Sequence, residues 1–175
     1  MAISRRALIR LGVGGSLLLL AGGAGLAFQP SRLRAPSIPL RALDARSISV
    51  LAAIVDRLLP PRPGFPTPAE LRIAERIDAF LADGDPAVAA DFRRALLLFE
   101  SGLAGLVFEG RSAPFTRLPP DEQDRVLHAW RTSAWSFRRM VYRAIHGLCM
   151  ATYFTCPETF PGTGYPGPSR LGESR

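Results

Sequence analysis

The chain of 175 residues contains no lysine; all 22 of its basic side chains are arginine. This reads as a coding bias towards arginine and carries no functional weight. Cysteine and histidine are nearly as scarce, with two of each. That scarcity excludes a cysteine cluster for iron and sulfur, and no C-x-x-C-H for covalent haem is present. No phosphate loop occurs, and no segment alternates with period two over a useful length, so little or no sheet is expected. A net charge of +7 would ordinarily raise the question of nucleic acid. Its distribution answers that question. Residues 1–41 hold six arginines and no acid, whereas the chain from residue 42 carries 16 basic against 15 acidic side chains. A body so close to neutral gives no evidence of a phosphate-binding surface. Apolar content of 47% excludes a disordered or collagen-like chain, and the length suits one domain.

The first 28 residues divide as an export signal divides. Met1 to Arg10 is basic, and Leu11 to Phe28 is 18 residues without charge. Within the basic part, Ser4-Arg5-Arg6-Ala7-Leu8-Ile9-Arg10 resembles the twin-arginine signal, a receptor-read address. Six glycines between Gly12 and Gly25 dilute the apolar stretch, which suits such a leader better than a stop-transfer helix. Gly25-Leu26-Ala27 offers cleavage after Ala27, with retention as an anchor the alternative. The weak glycine pattern Gly12-Val13-Gly14-Gly15 follows no strand and so is not a dinucleotide loop. Pro30, Pro36 and Pro39 among arginines mark residues 29–42 as an extended linker. The expected organisation is a signal segment at 1–28, that linker, a helical domain at 43–168 and a tail at 169–175.

The body reads as helices. Ile48, Leu51, Ala52, Val55, Leu58 and Leu59 recur at helical spacing up to Pro60-Pro61. Thr67 and Glu70 form a capping box with Pro68 at the first helical position. Ile73, Ala74, Ile77, Phe80 and Leu81 then mark a buried face that ends near Gly84. Asp85-Pro86 repeats the start signal, and Val88, Phe92, Ala95, Leu96, Phe99 and Leu103 carry the period until Gly102 and Gly105 loosen it. Phe115 to Pro120 reads as a turn. Pro120-Asp121-Glu122 then opens a helix with Val126, Leu127 and Trp130 on its apolar stripe. A last helix runs from about Ser133 or Ser136 to Tyr153, with Phe137, Val141, Ile145, Leu148 and Cys149 inward. The expected fold is all-α, a bundle of about five helices followed by an irregular Pro/Gly-rich tail.

No catalytic constellation emerges. Asp124 and His128 share a helical face, but no E-x-x-H repeat completes a di-iron site, so the pair reads as a surface ion pair. His146 reads as a packed or partner-facing histidine. The carboxylates are spread along faces expected to be solvated, which leaves no acid/base pair. Nine of the fifteen aromatics lie from Phe115 onward, with Arg131, Arg138, Arg139 and Arg143 near them. Aromatics with arginine favour an interface, against a plain solvated basic face. The candidate partner residues are Trp130, Trp135, Arg138, Arg139, Tyr153, Phe154 and Tyr165. Cys149 and Cys156 have three open outcomes: an internal disulfide, which needs a turn-back after Tyr153, a bridge to a partner, or two inert thiols.

Several elements together resemble a known family. They are the twin-arginine leader, Leu58-Leu59-Pro60, Phe115-Thr116-Arg117-Leu118-Pro119 leading into Asp121-Glu122-Gln123, Val126-Leu127 with Trp130, and Tyr153-Phe154 before Gly164-Tyr165-Pro166-Gly167-Pro168. In these the chain resembles subunit 3, the small subunit, of gluconate 2-dehydrogenase-type membrane-bound flavoprotein dehydrogenases. The resemblance implies a non-catalytic subunit without a cofactor of its own. Its implied partners are a large FAD-containing subunit of the glucose-methanol-choline type, a multihaem cytochrome c subunit carrying haem c, and the twin-arginine translocase. It also implies a periplasmic place, membrane-associated through the complex or an uncleaved leader. The rival readings are a periplasmic helical adaptor or membrane-anchored structural domain without a dehydrogenase partner, and a free-standing helical enzyme.

Overall fold

The computed structural model describes residues 31–167. The export-signal residues Arg5 and Arg6, the cleavage position Ala27 and the tail 169–175 lie outside the described residues. The first helix begins where an aspartate can cap it: the Asp44 carboxylate accepts the Ser47 amide at 2.7 Å and opens α1 (Ala45–Leu58). There follow α2 (Ile73–Ala82), α3 (Pro86–Glu100), α4 (Gly102–Glu109), α5 (Pro120–Arg131), α6 (Ser136–Phe154) and the single turn α7 (Phe160–Thr163). Two 3-10 turns, Phe115–Arg117 and Pro157–Thr159, join them. The described residues are all-helical, without a strand.

α1 is the centre of the bundle, packing against α2, α3, α5, α6 and the first 3-10 turn. Its apolar stripe is wider than the sequence pattern. Val50, Ala53 and Ile54 are buried along with Ile48, Leu51 and Val55. Residues 32–43 are not a loose linker but a strap across the domain. The Arg34 amide donates to Ser49 Oγ at 2.9 Å, and the Arg32 amide to Thr116 Oγ1 at 3.0 Å. At the other end, Asp78 accepts the amides of Arg41, Ala42 and Leu43 at 2.7, 3.0 and 2.7 Å. Asp78 is 2% exposed, and this triple acceptance explains a carboxylate inside the core. The folded part therefore starts about ten residues before Leu43.

The capping box forms, with the Thr67 amide donating to Glu70 Oε2 at 2.6 Å and the Glu70 amide to Thr67 Oγ1 at 3.2 Å. Those bonds from Thr67 hold the exposed Glu70 carboxyl below its usual range. Only a turn follows it, because Arg72 adopts a left-handed conformation (φ 52°), and α2 starts at Ile73. Phe80, expected inside, is exposed, as is Val88. The helix that begins at Asp85 ends at Glu100, earlier than its apolar period. Ser101 then caps a new helix by accepting the Ala104 amide. Beyond α6 the chain is less irregular than its composition suggests. Gly162 lies where an added Cβ would come within 2.7 Å of the Phe65 ring, and Tyr153 donates its hydroxyl to the Pro66 carbonyl at 2.7 Å. The C-terminal turns thereby pin the loop between α1 and α2.

Candidate partner interface

Three carboxylates that the sequence places on solvated faces are buried: Asp78, Glu100 and Glu109. Glu100 receives the Thr116 amide at 3.0 Å and the Thr116 hydroxyl at 2.6 Å, so the 3-10 turn is anchored to the end of α3. Glu109 closes α4. Gly110 follows in the left-handed region (φ 69°), which turns the chain so that Arg111 folds back against Gly105. Arg111 donates to Glu109 Oε2 at 2.7 Å and to the carbonyls of Ala113 and Phe99, both at 2.6 Å. Glu109 Oε1 accepts Trp130 Nε1 at 2.7 Å and Arg138 Nη2 at 2.6 Å. One carboxylate thus joins α4, α5 and α6. The Trp130 ring stacks on Phe99 at 4.0 Å, and the Arg138 guanidinium lies 4.9 Å from the Trp130 ring centroid.

This arrangement divides the seven partner candidates. Trp130, Arg138 and Tyr153 are not surface residues. They are 1%, 8% and 5% exposed, and Trp130 Nε1, Arg138 Nη2 and the Tyr153 hydroxyl each donate to an acceptor within the domain. Indole and phenol rings enriched at interfaces serve as well in a core when their N–H or O–H finds a partner, and here they do. Burial also pushes the Tyr153 phenol above its usual range. Arg139 is half-buried and closes the turn before α6 by donating to the Ser133 and Ala134 carbonyls at 2.5 and 2.8 Å. Trp135, Phe154 and Tyr165 remain exposed. Pattern reading missed Phe137 and Met140. Phe137 was expected inward, yet it and Met140 are more than half exposed, because Val141, Ile145 and Cys149 define an inner face turned away from them.

The remaining chemical candidates do not assemble. Asp124 pairs with Arg57 at 3.9 Å, and Arg131 Nη2 lies 3.2 Å from His128 Nδ1, so Asp124 and His128 do not form the expected ion pair. His146 stacks on Tyr142 with ring centroids 5.5 Å apart. Cys149 and Cys156 are both buried free thiols, which removes the internal disulfide. α6 runs straight through Cys149, and Cys156 directs its sulfur to the Thr152 carbonyl at 3.2 Å. Burial pushes the Cys149 thiol up to about 12, an inert form. Among the described residues, no group of three or more His, Cys, Asp or Glu side chains could hold a metal ion, and no helix is long and apolar enough to cross a membrane.

What the geometry offers is a rigid helical body. Its buried ion pairs serve packing, and α6 exposes Phe137, Met140 and Phe154. Residues 45–167 match the family model described as Gluconate 2-dehydrogenase subunit 3. The match begins at the first residue of α1 and spans the helical domain. No curated protein and no solved structure matches the chain.

Proposed function

The chain belongs to the gluconate 2-dehydrogenase subunit 3 family, a subunit of a dehydrogenase complex, and from that premise we propose that it binds, stabilises and co-exports a flavin-dependent large subunit. That partner is a glucose-methanol-choline-type dehydrogenase acting on a sugar, sugar acid or polyol. FAD belongs to it, haem c to a cytochrome subunit that takes the electrons, and the assembled complex works at the periplasmic face of the membrane. The family match over the whole helical domain carries this reading. Two further features support it. Arg5 and Arg6 stand directly before an uncharged, glycine-diluted segment, as a leader for a folded, pre-assembled cargo requires. The buried carboxylates are consumed by backbone amides, arginines and an indole, which suits a scaffold.

The test is direct. Co-expressed with the large subunit, the chain should co-purify with it in fixed stoichiometry and raise its yield in the periplasm. Purified alone, it should show no flavin or haem absorbance and reduce no electron acceptor. Stoichiometric flavin in the isolated chain would defeat the proposal. Replacing Arg5 and Arg6 together with lysine should leave both subunits in the cytoplasm. Unchanged export of that variant would assign the leader to the general secretory route.

A further inference from the structure

α6 packs one side against α2 and α5 and leaves the opposite side bare. Along the bare side run Phe137, Met140, Ala144, Gly147, Ala151 and Phe154, all exposed. Their spacing alternates three and four residues, the period that keeps a seam facing a second helix. Over 17 residues the seam extends about 25 Å, nearly five turns. Bulky side chains stand at its two ends and small ones in the middle, which lets a partner backbone approach closely between two apolar stops. Gly147 is informative because a Cβ there would meet nothing within 4 Å. Nothing in the domain requires glycine at that place, and glycine is unfavourable inside a helix.

Charge identifies what fits. No acidic residue occurs between Asp124 and Glu158. Arg143 is exposed beside the seam and forms no ion pair with a described residue. We propose that this seam receives a helix of the flavoprotein subunit bearing an apolar ridge flanked by carboxylates, an inference that rests on the function proposed above. A second copy of this chain would set arginine-edged seams against each other with no carboxylate from either α6. The chain's own first 30 residues carry Arg5, Arg6 and Arg10 and no acid. Neither supplies the complementary charge.

The experiment uses the full chain co-expressed with the flavoprotein subunit of its complex, and compares Gly147→Leu, Arg143→Glu and, on α3, the exposed control Val88→Glu. Gly147→Leu should reduce co-purified flavoprotein at least tenfold. In the isolated chain it should raise the Tm by a few degrees, because leucine is the better helix former and has open space. A merely structural role for position 147 would not move binding and stability in opposite directions. Arg143→Glu should weaken the complex about fivefold or more and flatten its dependence on salt, while Val88→Glu binds as the unmodified chain does. Full binding by Gly147→Leu and Arg143→Glu, with the unmodified chain also bound, would overturn the seam and leave the proposed function standing. Equal loss in the Val88→Glu control would likewise overturn it. Failure of the unmodified chain to bind any flavoprotein subunit would overturn both. A dimer of the isolated chain that Gly147→Leu dissolves would assign the seam to a second copy instead.

Discussion

Glu109→Ala removes the one carboxylate that holds α4, α5 and α6 together, and its cost follows from what surrounds it. Glu109 is 8% exposed at the side chain and its arginine partners 10% each. Deleting the acid from a pair this dry leaves charge buried without its counterion, a loss of about 3 to 5 kcal/mol. Arg111 keeps its bonds to the Ala113 and Phe99 carbonyls, so the loss falls mainly on Arg138 and on Trp130 Nε1. For a domain of this size it corresponds to a Tm lower by about 10 to 20 °C. Urea unfolding and a thermal scan, each followed by circular dichroism and tryptophan fluorescence, read the two numbers, and the Trp130 indole reports directly on the site. Glu109→Gln keeps the shape and one acceptor and should cost roughly half as much. The double variant Glu109→Leu with Arg138→Met should recover only part of the loss, since it removes one of the two buried arginines with the acid but leaves Arg111 on the Ala113 and Phe99 carbonyls alone and Trp130 Nε1 without its acceptor. A loss below about 1 kcal/mol for Glu109→Ala would refute the assignment of a buried, desolvated network.

Asp78→Ala should cost about 2 to 4 kcal/mol by freeing three backbone amides at once, and should expose Arg34 and Arg41 to trypsin; an unchanged digestion pattern would contradict the strap. Gly105→Ala should destabilise by about 1 to 3 kcal/mol despite alanine's better helix propensity, because the new Cβ would lie 2.8 Å from an Arg111 side chain held by three acceptors. A gain in Tm would show that Arg111 moves aside freely. Cys149 titrates near its ordinary value when unfolded and near 12 when folded, so stability should hold below pH 9 and fall by about 1.4 kcal/mol per pH unit above it, a slope that Cys149→Ser flattens. Thiol titration of protein unfolded without reductant should count two groups, and a count of zero would restore the disulfide.

Helix positions were readable because caps and prolines mark them locally: Asp85 and Pro120 stand where α3 and α5 begin, and Pro60 follows the end of α1. Burial was less readable because it depends on what covers a face. Ser49 lies inside with the Arg34 amide of the strap on its hydroxyl, and nothing local in residues 32–43 announces that contact beyond an extended, proline-rich composition. Phe80 failed in the opposite sense, as helical periodicity placed it on a face that no neighbour covers. The buried carboxylates left faint signals. Asp78 directly follows Ile77 on the inner face of α2, and Glu100 ends an apolar run from Ala95. Their acceptors' roles depend on donors 16 to 37 residues away, which no periodicity encodes. Among the partner candidates, residue type alone could not separate Trp130 from Trp135. Five residues apart, they are 1% and 61% exposed.

The strap also sets an order of events during synthesis. Arg32 leaves the ribosome early, but the hydroxyl that accepts its amide belongs to Thr116, 84 residues later. At about 5 to 20 residues per second that is a wait of roughly 4 to 17 s. Thr116 is itself held by Glu100, so the acceptor is in place only after α3 has met the 3-10 turn. The first described part of the chain to be made is thus among the last to be latched. Residues 32–43 stay slack on an unfinished chain and are taken up when the bundle closes, so the geometry of the strap records whether the rest has folded.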